Sequence, residues 1–346
     1  MAKTVLGLDI GTKFIKYVEV SHAGRGNYQL ISVGMCPAPL KGINSEANVD
    51  REAVAISIKK LMKDGGVRTK KVNVALPEAN VFTRIIQVPP LSERELASAI
   101  KWEAEQYIPL PLEEVHMDFS IVGESKDEEG TKKLDVLLVA APKEVIERYN
   151  KVLDLSDLEA VAMETEIISA SRALLPATYD KPLTVMVLNL GAQTTDFSIM
   201  RAGVIAFTRS VPTGGDNFTK VLSQDLGLPT AQAEEFKKTY GLRENQLEGK
   251  VYRALQPIFA VILDEVKRSM TFFKNKFGEE TISSIILSGG SAKLPGLVET
   301  LVNSTGVETQ VGNPWSRIAK DPQRFAKLDE EGATFAVAAG LALRED

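Results

Sequence analysis

Short bursts of apolar residues organise the first part of the chain. Residues 5–9, 14–20 and 28–35 are rich in Val, Ile and aromatic side chains. They are broken by Gly11 and by Gly24-Arg25-Gly26-Asn27, a pattern that predicts a three-stranded meander. Residues 50–63 instead place Val54, Ile58, Leu61 and Met62 at helical spacing and stop at Gly65-Gly66, so a helix is expected, then a strand at 71–76. From 80 to about 160 the texture changes, with Pro89, Pro90, Pro109 and Pro111, an acidic turn at 126–130 and a strand-like run at 134–141, which reads as an inserted subdomain. Ser92 and Glu95 form a capping-box pattern that opens a helix running to about Tyr107. On it Leu96, Ala99, Ile100 and Tyr107 share a face, and at ~100° per residue Glu103 falls inside that face and Trp102 outside it. A carboxylate there needs a partner, supplied either by the subdomain or by an incoming molecule. Trp102 is either a contact residue or the cover of a second core face.

The second half repeats the opening. Strands are expected at 183–190, 195–201 and 204–210, and Asn189-Leu190-Gly191-Ala192 echoes Asp9-Ile10-Gly11-Thr12. Two similar halves would face each other across a cleft. The pattern is then helical to about 276, with breaks near Pro229 and Gly241, and a strand follows at 284–288. A helix is expected to begin at Pro295, a favoured first helical position, and a last small-residue helix to run over 332–343. The expected organisation is a first lobe from 1–80, completed by 160–182 and 330–346, with the insertion at 81–159. The second lobe comprises 183–213 and 281–329, with a helical subdomain at 214–280.

Length and composition narrow the function class. A chain of 346 residues is too long for one ordinary core, and 44% hydrophobic with 25% charged residues describes a globular protein. A net charge of −5 gives no global field for a polyanion, so no nucleic-acid partner is expected. Cys36 is the one cysteine, which excludes an internal disulfide, and it is expected to be a buried small apolar residue. His22 and His116 stand in no metal-ligand spacing. No stretch approaches the ~20 apolar residues of a transmembrane helix, and the chain opens without a signal-peptide pattern, so direct membrane insertion is not expected.

Three loops carry candidate chemistry. In Leu6-Gly7-Leu8-Asp9-Ile10-Gly11-Thr12-Lys13 a strand ends at an acid and turns through glycine before a hydroxyl and a cation. A phosphate needs close backbone amides, a hydroxyl donor and a carboxylate that holds hydrated Mg²⁺. A plain glycine hairpin would read the same. Gly191-Ala192-Gln193-Thr194-Thr195-Asp196 offers the same parts again. Ser288-Gly289-Gly290-Ser291-Ala292-Lys293-Leu294-Pro295 lies between a strand and a helix, where amides favour an anion or an adenine-ribose edge. The Gly-x-Gly-x-x-Gly, Walker A and Gly-x-Ser-x-Gly patterns are not met.

The order and separation of these loops resemble the actin, sugar-kinase and heat-shock chaperone ATPase superfamily over nearly the whole chain. The resemblance implies an α/β fold of two duplicated actin-like (ribonuclease H-like) lobes around a nucleotide cleft, with ATP and Mg²⁺ as cofactors. By it Asp9, Gly11, Thr12, Lys13, Gly191, Gln193, Thr194 and Thr195 would hold phosphates, and Gly289, Gly290 and Ser291 adenosine. Gly214, Gly215, Asn217, Glu234 and Lys237 would form the base and ribose wall, although Glu234 and Lys237, three apart, also read as a surface ion pair worth roughly 0.2 to 0.5 kcal/mol. Asp9 and Asp196 would reach the metal through water.

Within the superfamily, residues 88–96, 102–109, 136–142, 164–172 and 332–344 resemble the PilM family of type IV pilus assembly. That implies a cytoplasmic adaptor, peripheral to the inner membrane, that grips the short cytoplasmic N-terminal tail of a PilN-like membrane protein. Trp102, Glu103 and Tyr107 are the expected partner contacts, and self-association stays open. The related cell-division protein FtsA shares the insertion but ends in an amphipathic membrane-binding helix, a pattern that residues 343–346 do not carry. An FtsA-like division protein and a small-molecule kinase are the alternatives. Superfamily members usually carry aspartate where Asn189 stands, so nucleotide binding is expected to survive better than hydrolysis, and no residue is assigned as catalytic base.

Overall fold

The computed structural model describes residues 3–345 apart from 23, 25, 127–129, 177–182 and 279. Strands β1 (Lys3–Ile10), β2 (Phe14–His22) and β3 (Tyr28–Pro37) form the expected antiparallel meander. Helix α1 (Asn48–Asp64) buries Val54, Ile58, Leu61 and Met62 and leads to β4 (Lys71–Leu76), parallel to β1. The insertion holds β5 (Phe82–Val88), α2 (Glu93–Tyr107), β6 (Val115–Lys126) and β7 (Lys132–Pro142), with sheet order β5-β7-β6. Then come α3 (Lys143–Leu155), β8 (Glu159–Thr165) and α4 (Glu166–Leu174), and β8 closes the first sheet beside β4. Of the acidic turn expected at 126–130, residues 127–129 lie outside the described residues. So does residue 25 of the turn at 24–27, and so do 177–182 of the segment expected at 160–182.

The second unit repeats the first. Strands β9 (Thr184–Leu190), β10 (Thr195–Arg201) and β11 (Val204–Val211) form another antiparallel meander. Helices α5 (Gly215–Asp225), α6 (Thr230–Tyr240) and α7 (Lys250–Phe277) follow, and β12 (Ser284–Ser288) runs parallel to β9 as β4 does to β1. After α8 (Leu297–Thr305) come β13 (Glu308–Val311), β14 (Ile318–Ala319) and α9 (Ala336–Ala342). The sheets are ordered β14-β3-β2-β1-β4-β8 and β11-β10-β9-β12-β13. This is the α/β two-lobe, actin-like arrangement that the loop order implied.

The lobes meet on α4 and α9. Ile167, Ala170, Val337 and Leu341 pack with Ala75 of the first sheet and Val185 and Val187 of the second. The approach is close because the residues are small. A Cβ on Gly340 would stand 1.7 Å from the Ser169 carbonyl oxygen, and one on Gly7 would stand 2.3 Å from that of Ala338.

Several expected boundaries move. Helix α3, placed with the insertion, joins the first lobe, where Val145, Tyr149, Val152 and Leu153 pack with Leu6 and Leu8. The insertion as packed therefore ends near residue 142. Residues 315–328, placed with the second lobe, also pack on the first: Trp315, Ile318, Phe325 and Leu328 join Val18 and Tyr28, and β14 pairs with β3. The helix expected from Pro295 begins at Leu297, because Gly296 at φ +80° turns the chain first. On α2 the buried line is Leu96, Ile100 and Ala104, against Ile86, Val136 and Leu138 of the small sheet. One helix covering three strands buries a narrower stripe than the periodicity allowed. Glu103 is only half-buried, with no hydrogen-bond or ion-pair partner among the described residues, and Tyr107 is exposed. Cys36 is half-buried, and that burial pushes its thiol pKa up. Among the described residues no helix is long and apolar enough to cross a membrane.

Candidate functional site

The carboxyl ends of β1 and β9 point their turns into a cleft of about 570 Å³ between the lobes. The first turn brings Asp9, Gly11, Thr12 and Lys13 to it, the second Gly191, Gln193 and Thr194, and the third Gly289, Gly290 and Ser291. Gly215, Glu234 and Lys237 complete the wall. Thirteen of the expected site residues thus share one cavity. Thr195, Asp196, Gly214 and Asn217 stand behind it. The Thr195 hydroxyl donates to the Thr213 carbonyl at 2.7 Å, and Asn217 caps α5 by accepting from the Gly214 N–H at 2.9 Å.

Backbone geometry makes the two turns donors. The N–H groups of Gly215 and Asp216 donate to the carbonyls of Gly191 and Ala192 at 2.9 and 2.8 Å. The second turn's acceptors are thereby consumed. The N–H groups of Thr12, Lys13, Ala192 and Gln193 have no backbone acceptor among the described residues. Glycine is required where α5 closes on this turn: a Cβ on Gly214 would meet the Ala192 carbonyl oxygen at 2.6 Å and that of Gly191 at 2.8 Å. At Gly290 a Cβ would meet nothing within 4 Å, so this backbone faces open space in the cleft. Adjacent unpaired amides form the concavity that oxyanions occupy.

Charge is distributed in two layers. At the rim, Lys13 Nζ of the first lobe reaches Asp216 at 3.3 Å and Glu234 at 3.5 Å, both in the second. Lys237 Nζ is buried and donates to the Gly215 carbonyl at 3.0 Å, Thr219 Oγ1 at 2.9 Å and Glu234 Oε2 at 2.8 Å. Burial opposes ionisation of Glu234, but the hydrogen bonds from Lys237 and Thr219 and the charges of Lys237 and Lys13 outweigh it and hold the carboxyl at about 2. The pair lies within α6 and is tied to α5 through Thr219 and the Gly215 carbonyl, so it is not a free surface ion pair.

Below the rim lies an acidic layer. Asp9 is buried and paired with Lys16 Nζ at 2.5 Å. Burial raises the Asp196 carboxyl to about 6, against hydrogen bonds from Ser210, Thr194, Asn189 and Glu166. Burial, then the charges of Asp196 and Asp9, pushes Glu166 well above the usual carboxylate range. Glu78 is raised to about 7, first by burial, and its Oε2 has no hydrogen-bond partner among the described residues.

Oxygen ligands suit Mg²⁺, but the described residues hold no group of three or more His, Cys, Asp or Glu that would bind a metal alone. Asp9 lines the cleft, whereas Asp196, expected beside it, points behind the wall. A metal here fits only with ligands contributed largely by a phosphate and water.

Sequence reading missed Lys16, Glu166 and Tyr149, all of which line the cleft. Lys16 was available from hairpin register, since it stands directly opposite Asp9 across β1 and β2. Glu166 opens α4 and resembles any acid that complements a helix N-terminus. Its place in the cleft depends on the crossing of α4 beneath both lobes.

Comparison with known proteins places this architecture. The family profile described as Type IV pilus assembly protein PilM matches residues 7–346. A solved structure titled PilM-PilN type IV pilus biogenesis complex is 32% identical, covers 98% of each chain and superposes with a TM-score of 0.86. Cell division protein FtsA of Streptococcus pneumoniae serotype 2 is 24% identical over 89% of this chain and 75% of its own. MreB 5 of Spiroplasma citri, solved bound to AMPPNP, shares the fold at 14% identity, a TM-score of 0.53, and coverage of 98% and 94%.

Proposed function

Because the chain belongs to the type IV pilus assembly protein PilM family, we propose that it is an ATP-binding, actin-like adaptor that grips the short cytoplasmic N-terminal tail of a PilN-like inner-membrane protein. The observation that carries the nucleotide part is the pair of glycine turns whose unpaired amides open on one cleft, with lysines 13 and 16 at hand. The amides and both lysines would hold the phosphates, Glu234 and Lys237 would face the ribose, and Gly289, Gly290 and Ser291 the base. Asp9, paired here with Lys16, is the residue that would help to hold Mg²⁺, which would supply neutralisation of phosphate charge. Asp196, Thr195, Gly214 and Asn217 would shape the second turn from behind.

Hydrolysis would be slow at most. Asn189 is neutral where charge would help to hold metal and water, and Asp196 is withdrawn from the cleft. The protein would couple nucleotide state to tail affinity by shifting the populations of its lobe arrangements. Supporting the partner reading are the family membership and a related chain solved in complex with PilN. Trp102, Glu103 and Tyr107 of the insertion are the proposed contacts, and the first is exposed.

The test is a melting curve with and without ATP and Mg²⁺. We expect a rise in Tm that Asp9→Ala abolishes; no shift at saturating nucleotide would refute the reading. Tail binding is read separately from the fluorescence of Trp102 on titration with a peptide of a PilN-like N-terminus.

A further inference from the structure

The two lobes line the cleft with different chemistry. The wall assigned to the nucleoside, with Glu234, Lys237, Gly289, Gly290 and Ser291, comes entirely from the second lobe, whereas Lys16, Tyr149 and Glu166 come from the first. Tyr149 stands on α3, is only 2% exposed and lines the cavity, yet its hydroxyl has no hydrogen-bond partner among the described residues. The comparably buried Tyr17 and Tyr28 bond Ser32 and Glu345. A buried hydroxyl that has lost water and gained no partner is costly, and native proteins seldom leave one without a reason. Glu166 and Asp9 are close enough to Tyr149 to act on it electrostatically. Helix α4 runs nine residues from Glu166, and its N-cap residue Thr165 makes no side-chain bond to the first turn. The positive end of a helix and an unengaged hydroxyl thus share the first-lobe floor of the cleft.

Resting on the nucleotide reading above, we propose that Tyr149 sets the preference for a nucleoside triphosphate over a diphosphate, its hydroxyl donating to an oxygen of the terminal phosphate. With the nucleoside against α6 and Ser291, the phosphates run between the turns at Gly11 and Gly191 toward the first lobe, where Tyr149 stands. Backbone amides of the two turns meet the inner phosphates, which a diphosphate engages equally. The third phosphate reaches past them to the hydroxyl and to the N-terminus of α4. The acids nearby do not bar it. Asp9 is paired with Lys16, and burial, then the charges of Asp196 and Asp9, disfavours charge on Glu166. Burial, then the charges of Glu166 and Asp9, raises the Tyr149 pKa well above its ordinary value, so the hydroxyl keeps its proton and remains a donor.

The experiment is calorimetric titration of the full chain, parent and Tyr149→Phe, with ADP and with AMPPNP, each in the presence of Mg²⁺. The variant should bind AMPPNP about tenfold more weakly and ADP within about twofold of the parent, since one hydrogen bond to a charged oxygen is lost and the ring stays. Its Tm without ligand should not fall, because the hydroxyl bonds nothing there. Beryllium fluoride, which takes the terminal-phosphate position on bound ADP, should raise the Tm of the parent above that with ADP alone and should not raise that of the variant. Equal affinity of parent and variant for AMPPNP, or an equal loss for both nucleotides, overturns the role of Tyr149 and leaves nucleotide binding standing. A parent that binds neither nucleotide overturns both. A lower Tm in the ligand-free variant also overturns the role, since the hydroxyl would then be engaged within the folded chain.

Discussion

At the scale of single residues, the most consequential groups are carboxyls whose ionisation burial opposes. Glu78 has an ordinary pKa of 4.5 and is held at about 7 in the folded chain, chiefly by burial. The folded state therefore binds a proton that the unfolded state releases between those values. Stability from this group is complete below pH 4.5 and is lost as pH rises through 7, a fall of about 3 kcal/mol across the window. Asp196, raised to about 6, slopes the same way. Glu78→Gln should flatten the decline, so that the variant exceeds the parent in Tm at pH 8 and not at pH 4.5. A steeper decline in the variant would mean that the charge of Glu78 is favoured. None of this was legible in the sequence, where Glu78 is one acid in a Pro-Glu-Ala-Asn turn. The loops were legible because glycine, hydroxyl and acid stand adjacent in the chain, whereas Glu78, Glu166 and Asp196 are brought together from three separate elements.

Secondary-structure elements followed the periodicity closely where a single sheet or core decides burial. The strands 71–76, 195–201 and 284–288 were expected where they are found. Elements that cross between bodies were misread, and α3 is the clearest case: its apolar stripe says only that it packs, and not that its partner is the first sheet. Helix α9 was expected for its small residues, and the structure gives the reason. Gly340 has no room for a Cβ beside the Ser169 carbonyl oxygen at 1.7 Å, and α4 would have to move away. Gly340→Val should cost about 3 kcal/mol or more and spread the two lobes, measured as a lower Tm and a smaller nucleotide-induced shift. Gly290→Ala, whose Cβ meets nothing within 4 Å, should leave Tm unchanged, which separates packing from any role at the cleft.

For the whole molecule, the rim lysine adds one tie between the halves to the packing on α4 and α9. Lys13 reaches across to Asp216 and Glu234, so part of the force holding the lobes together is an exposed ion pair of small worth. Lys13→Ala should leave Tm within about a degree while amide exchange in the turns around Thr12 and Gln193 accelerates. Unchanged exchange would show that packing on α4 and α9 alone sets the lobe arrangement. The insertion shares in that arrangement, since Leu137 of β7 packs beside the cluster that holds Met200 and Ile205 of the second lobe. The small residues of α9 have one more consequence, which lies in the order of synthesis. Asn73 on β4 donates to the Leu341 carbonyl across 268 residues of chain, so the inner face of the first sheet leaves the ribosome long before the helix that covers it. Until α9 emerges, both nascent lobes display the same uncovered apolar seam, and the cell must shield it or risk pairing one unfinished chain with another.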